Sequence, residues 1–155
     1  MYSSTISTCP GTGDSARRIA AHIPLGESSQ SEPLARLRVL VVDDDRDLAD
    51  TTQTLLEICG IQSQCVYSVE SAISTLERDP SINVVLSDVI MPSLTGLDLA
   101  AIVKACHPLV GIVLVSGYTS LETIGAREYM DGFIAKPYKI DEVIVRLIKA
   151  MRPYV

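Results

Sequence analysis

Four short apolar runs in this chain each stop at a residue that can carry or bind charge, and this repetition constrains the fold more than any other feature. Val39-Leu40-Val41-Val42 runs into Asp43, Asp44 and Asp45; Ile82 to Leu86 leads to Asp88; Val110 to Val115 ends at Ser116; Phe133-Ile134-Ala135 ends at Lys136. Continuous apolar runs of this length suit strands buried on both faces. A fifth strand-like stretch covers Ile61 to Tyr67. Helical patterns lie between them. Asp47 to Cys59 repeats apolar positions near helical spacing and stops at Gly60, and Val69, Ala72, Ile73 and Leu76 form a stripe with Pro80 just beyond. Gly96 to Cys106 reads as a helix stopped before Pro108, and Leu121–Tyr129 as a short one. Ile140, Val143, Ile144, Leu147, Ile148 and Met151 share one clean face. Five strands alternating with five helices predict an α/β fold: an open parallel sheet with helices on both faces.

Residues 1–35 show neither period and are rich in Ser, Thr, Gly and Pro, so they read as a flexible tail or linker ahead of a domain over 36–155. The whole chain of 155 residues is 47% apolar, enough to build a core. Its net charge of −6 argues against nucleic-acid binding, which wants a basic face. No apolar run approaches the roughly 18 residues of a membrane span, and the start lacks the pattern of a signal peptide. Cys59, Cys65 and Cys106 lie inside apolar patterns and are expected to be reduced core thiols, which fits a cytoplasmic protein.

In an open parallel sheet, ligands bind outside the carboxyl ends of the strands. If the runs are neighbours, the acids at 43–45, Asp88, Ser116 and Lys136 converge on one edge. Clustered carboxylates resist ionising together unless a cation neutralises them, and oxygen-only ligands suit Mg²⁺. A carboxylate can also take a phosphoryl group as a nucleophile, with a lysine and a hydroxyl stabilising the transferred charge. Taken singly, each residue has a plainer role. Asp45 or Asp47 caps the helix that follows, a Ser-Gly makes a turn, and a Lys-Pro ends a strand. Their joint occurrence at successive strand ends is what points to phosphoryl transfer.

The segment from about Leu37 to Met151 resembles the receiver domain of bacterial two-component response regulators and hybrid histidine kinases. The resemblance rests on Val-Leu-Val-Val-Asp-Asp-Asp at 39–45, on Leu-Ser-Asp-Val-Ile-Met-Pro at 86–92 followed by Gly96-Leu97-Asp98, on Val-Leu-Val-Ser-Gly-Tyr at 113–118, and on Phe-Ile-Ala-Lys-Pro-Tyr at 133–138. It implies the flavodoxin-like sheet order 2-1-3-4-5. It also implies that Asp88 is the phosphoacceptor for a histidine kinase or histidine phosphotransfer domain, so that the chain catalyses only its own phosphorylation and dephosphorylation. Asp43, Asp44, Asp88 and the backbone carbonyl of Ile90 would hold Mg²⁺. Lys136 would bind the phosphoryl group, Ser116 would be the switch hydroxyl and Phe133 the switch aromatic. With no output domain after Met151, the switching surface would act on a separate partner or an upstream kinase domain.

The chain departs from the family in its short interval between Ser116 and Phe133, and in Tyr129, where a glycine is common. Ile90 and Tyr118 beside the site are expected to shield it from water and slow dephosphorylation. In the tail, Gly11-Thr12-Gly13 through Ile23-Pro24-Leu25 faintly resembles the last strand of a histidine-kinase ATP-binding domain, as in a receiver cut from a hybrid kinase. A rival from another class is a haloacid-dehalogenase-type phosphatase with Asp43 as nucleophile. That family needs an acidic pair at a strand end after the lysine, whereas here Asp141-Glu142 opens a helix. A degenerate receiver that only binds a partner would not need Asp43, Asp44, Asp88 and Lys136 intact.

Overall fold

A computed structural model describes residues 31–117 and 128–153. In chain order the elements are α1 (Ser31–Arg36), β1 (Arg38–Val42), α2 (Arg46–Ile58), β2 (Gln62–Val66), α3 (Val69–Arg78), β3 (Val84–Asp88), α4 (Gly96–Cys106), β4 (Gly111–Ser116), β5 (Gly132–Ala135) and α5 (Ile140–Ala150). All strand pairs are parallel, in the order β2-β1-β3-β4-β5. The expected sheet and its order are therefore observed.

The continuous apolar runs are explained by two cores, one on each face of the sheet. Side chains alternate across a strand. Val39 and Val41 of β1 enter the core shared with α2 and α5, while Leu40 and Val42 enter the core shared with α3 and α4. β3 and β4 divide in the same way, with Leu86, Val113 and Val115 on the first face and Val85, Ile112 and Leu114 on the second. Each fully buried Leu or Ile contributes about 1.5–3 kcal/mol through removal from water.

Helix starts follow local chemistry. Asp45 is the N-cap of α2 and accepts from the Leu48 amide, which settles the choice between Asp45 and Asp47. Ser68 caps α3, and Thr95 with Asp98 forms a capping box on α4.

Two expectations need correction. The tail does not run unbroken to residue 35: Ser31–Arg36 is helical, and Leu34 packs against the α2–α5 core, so ordered structure begins before 36. One and a half turns are too short to show a period in sequence. Cys106 is exposed and Cys59 and Cys65 are only half-buried, although all three are free thiols. Cys106 misleads because α4 is apolar on nearly every side, so its pattern does not reveal which face is buried. The helix expected near Leu121–Tyr129 falls outside the described residues except for Glu128, which is in 3₁₀ conformation, and Tyr129, which lies in a turn.

Candidate phosphoacceptor site

Strand register brings the candidate residues together. Val42 of β1 pairs with Ser87 of β3, so Asp43 and Asp88 leave adjacent strands side by side. Ser116, the last residue of β4, pairs with Ala135 of β5, and Lys136 follows immediately. The Lys136 amide donates to the Ser116 carbonyl at 2.8 Å, extending the ladder one residue toward the site. Asp43 and Asp88 thus share one row, Ser116 lies one residue beyond Val115, the partner of Asp88 on β4, and Lys136 lies one residue further again past β5, so the four step outward along one carboxyl edge. Asp44, exposed, follows Asp43 in the loop to α2.

One carboxylate oxygen from each of Asp43, Asp44 and Asp88 lies within 4.8 Å of the others. Lys136 Nζ sits 2.9 Å from Asp88 Oδ2 and 3.8 Å from Asp43 Oδ2. Backbone amides complete the set. Asp43 Oδ1 accepts from the Asp45 N–H at 3.0 Å, and Asp88 Oδ1 accepts from the Ile90 N–H at 3.2 Å. Asp43 is only 6% exposed. Burial, followed by the charges of Asp88 and Asp44, holds its carboxyl above the ordinary value, against the pull of the Asp45 N–H and Lys136. At Lys136 burial works against the charge, but the hydrogen bond to Asp88 and the charges of Asp88 and Asp43 outweigh it, so its pKa is raised. Three carboxylates around one ammonium leave excess negative charge and oxygen donors alone, the donor set that a hard divalent cation such as Mg²⁺ takes.

Less obvious residues hold this arrangement. Gly96 opens α4 directly beneath the Asp88 backbone, and a Cβ there would stand 2.1 Å from the Asp88 carbonyl oxygen. The Gly96 N–H donates to the Val89 carbonyl, while the Val89 N–H donates to Val115, so the loop after Asp88 is tied to both α4 and β4. Ser93 turns that loop with a φ of 67°. On the other side Tyr138, two residues past Lys136, places its hydroxyl 3.3 Å from Thr52 Oγ1 on α2. Thr52 is buried, so this contact anchors the lysine-bearing loop. Sequence reasoning passed over Gly96 as a site residue and Thr52–Tyr138 as a pair. The glycine stands in the Gly-Leu-Asp block, a visible signal, whereas 86 residues separate Thr52 from Tyr138 and nothing local links them.

Ser116 is fully buried at the end of β4. Phe133 is half-buried beside Met130 against the α3–α4 core. Ile90 is 55% exposed next to Asp88, and Tyr118 lies outside the described residues. Asp141 and Glu142 lie in the first turn of α5 and not at a strand end, so the second acidic pair a haloacid-dehalogenase-type phosphatase needs is not there.

Residues 39–148 match the response regulator receiver domain family. The chain is 33% identical over 109 residues to the C4-dicarboxylate transport transcriptional regulatory protein DctD of Rhizobium meliloti, covering 68% of this chain and 23% of that protein. It is 30% identical over 116 residues to the transcriptional regulatory protein CpxR of Escherichia coli, covering 74% of this chain and 49% of that one. The chain thus spans from a quarter to about half of the length of these relatives. Both are transcriptional regulators by name, which withdraws the exclusion of nucleic acid drawn from net charge. Among solved structures, a response regulator receiver domain from Clostridium thermocellum superposes with a TM-score of 0.69 at 24% identity, over 74% of this chain and 94% of that one. The receiver domain of the Francisella response regulator 1452 gives 0.66 at 27%, over 73% and 96%. No helix among the described residues is long and apolar enough to cross a membrane. Fold, strand-end residues and family match agree: this chain belongs to the response regulator receiver domains of two-component signal transduction.

Proposed function

We propose that the domain takes a phosphoryl group onto Asp88 from the phosphohistidine of a histidine kinase or histidine phosphotransfer domain, in the cytoplasm. The single observation that carries this reading is the 2.9 Å contact of Lys136 Nζ with Asp88 Oδ2 inside the three-carboxylate cluster. An Asp88 carboxylate oxygen attacks phosphorus in line with the P–N bond. That bond breaks, and its electron pair returns to the imidazole nitrogen. Lys136 is poised to move from the carboxylate oxygen to a phosphoryl oxygen. Asp43, Asp44, Asp88 and the Ile90 carbonyl would hold Mg²⁺, which when bound offsets the charge of carboxylates and phosphoryl group together.

The added dianion then biases a two-state element. Ser116 is the hydroxyl that would reach for the new phosphoryl oxygens, and the half-buried Phe133, paired with Leu114 on the adjoining strand, is the ring that would take up the vacated space. The switch is driven only as far as phosphoryl contacts differ between the two packings. The altered face around β5 and α5 would be read by a separate output partner or a domain preceding this one.

The test is intact mass after incubation with Mg²⁺ and a small acyl phosphate. One added phosphoryl group that requires Mg²⁺ and is absent in Asp88→Asn is the expected result. An adduct that persists in Asp88→Asn, or forms equally in EDTA, refutes the assignment.

A further inference from the structure

Phosphoryl chemistry at the carboxyl ends of the strands makes no use of the opposite end of the sheet. There a cavity of about 690 Å³ is lined by Arg36, Arg38 and Arg152, with Ser81 and Asn83 on the loop before β3. In a chain of net charge −6, three arginines lining one space is a local reversal of sign. Among the described residues no carboxylate lines the cavity, and none lies within ion-pair distance of Arg36 or Arg38.

The side chains of Arg38 and Arg152 are held in place by bonds that leave most of their donors unused. Arg38 Nη1 donates to the carbonyls of Ala35 and Leu37 at 2.8 and 3.0 Å. Its peptide N–H donates to Asn83 Oδ1, and Asn83 Nδ2 donates to the Arg36 carbonyl at 2.7 Å, which locks α1, β1 and the β3 loop together. Arg152 spends Nη2 on Asp131 Oδ1, whose other oxygen accepts from the Ile112 N–H. Carbonyl capping and this ion pair account for one nitrogen of Arg38 and one of Arg152, and for none of Arg36. Planar guanidinium forks with free donors bind phosphate oxygens in pairs.

The cavity is far larger than an ion needs and lies within the range of small-molecule sites, about 300–1,000 Å³. Its remaining wall is apolar, made by Met151 with Ala35 and Pro153. We propose that it binds a small molecule joining a di- or triphosphate to an organic group, the class of nucleoside phosphates. The phosphates lie against Arg36, Arg38 and Arg152, and the organic part against Met151.

Calorimetric titration of the full chain with ADP tests this, in EDTA so that the carboxylate site holds no cation. The expected result is saturable one-to-one binding with a Kd on the order of 100 μM. Pyrophosphate binds more weakly and adenosine does not bind. Arg36→Ala with Arg152→Ala weakens ADP at least tenfold, about 1.4 kcal/mol. Amide chemical shifts of the wild-type protein supply a readout independent of how the variant folds: ADP should move residues 36–38, 81–83 and 151–153. Absence of saturation overturns the proposal. So does an unchanged Kd in a folded double variant, or shifts confined to Asp43, Asp44 and Asp88.

Discussion

At the carboxyl ends of its strands the sheet gathers three carboxylates around one lysine, and at the amino ends it gathers three arginines around a space with no acid among the described residues. The two ends are built differently in the chain. Every residue of the carboxylate end sits at or just after a strand terminus, so β-sheet register alone delivers it. The arginine end draws on α1, the start of β1 and the segment after α5, and is assembled by packing and by Asn83. An edge set by register is positioned by the most rigid part of the fold. An edge assembled from chain ends can change without disturbing the sheet.

The largest expected effect separates the ends by chemistry. Lys136→Ala removes the ammonium that pairs with Asp88 and Asp43 and, on the proposed function, would meet the incoming phosphoryl group. Phosphorylation of Asp88 by an acyl phosphate should slow by about two to three orders of magnitude, the usual cost of deleting one preorganised charge-stabilising donor. A rate within threefold of wild type, followed by mass spectrometry under Mg²⁺ saturation, would remove Lys136 from the site.

A pair of glycines sharpens the comparison next. Each end has one glycine where a helix backbone meets a strand backbone: a Cβ on Gly96 would stand 2.1 Å from the Asp88 carbonyl oxygen, and a Cβ on Gly111 2.1 Å from the Ala150 carbonyl oxygen. Neither neighbour is a flexible side chain, so Gly96→Ala and Gly111→Ala should each cost about 3 kcal/mol in urea denaturation. They should diverge in function. At a temperature where both variants are folded, Gly96→Ala slows phosphorylation because Asp88 is displaced, whereas Gly111→Ala does not. Equal slowing in both would mean that the two ends are mechanically coupled.

Legibility in sequence follows the same division. The strands, their order of chemistry and the residues of the carboxylate row were readable because burial on both faces writes continuous apolar runs, and strand ends write the residues that follow. The arginine end was not readable: Arg36, Arg38 and Arg152 are more than a hundred positions apart at the extremes and join only when the chain leaving α5 returns to the amino ends of the strands. Helix α1 escaped because it is a single short element held by Leu34, with no repeat to reveal it. Thr52 and Tyr138 escaped for the reason that hides most tertiary hydrogen bonds, a partner far off in the chain.

A smaller effect comes from the buried acid. Asp43 is held above its ordinary 3.8 chiefly by burial, with Asp88 and Asp44 adding to it. The folded protein therefore binds this proton more tightly than the unfolded chain, and ionising Asp43 costs stability above the raised pKa. Below 3.8 both states are protonated and the cost is absent. Asp43→Asn keeps the oxygen that accepts from the Asp45 N–H and removes the charge. Without divalent cation at pH 7 it should raise Tm by about 4 °C, the shift that roughly 1 kcal/mol produces in a domain of this size. The gain should shrink as pH falls toward 4 and, on the proposed Mg²⁺ ligand set, reverse when Mg²⁺ is added. A gain equal at both pH values would trace the effect to packing and not to charge.

The smallest expected effect is the one that tests whether the two ends are independent. Five residues of strand at about 3.3 Å each put the arginines roughly 16 Å from the carboxylate row, beyond the Debye length of about 8 Å at physiological ionic strength. Arg152 is half exposed, and among the described residues its ion pair is with Asp131, which keeps its bond to the Ile112 N–H when the arginine is gone. Screened charge at that distance, with no shared hydrogen bond, leaves no route to Asp88. Arg152→Ala should therefore change the rate of Asp88 phosphorylation less than twofold and stability by no more than about 0.5 kcal/mol, as for an ordinary surface ion pair. A larger change in rate that persists at high salt would exclude the electrostatic route. The β4–β5 segment, where Asp131 joins Ile112 ahead of Phe133, would then be the connection between the ends.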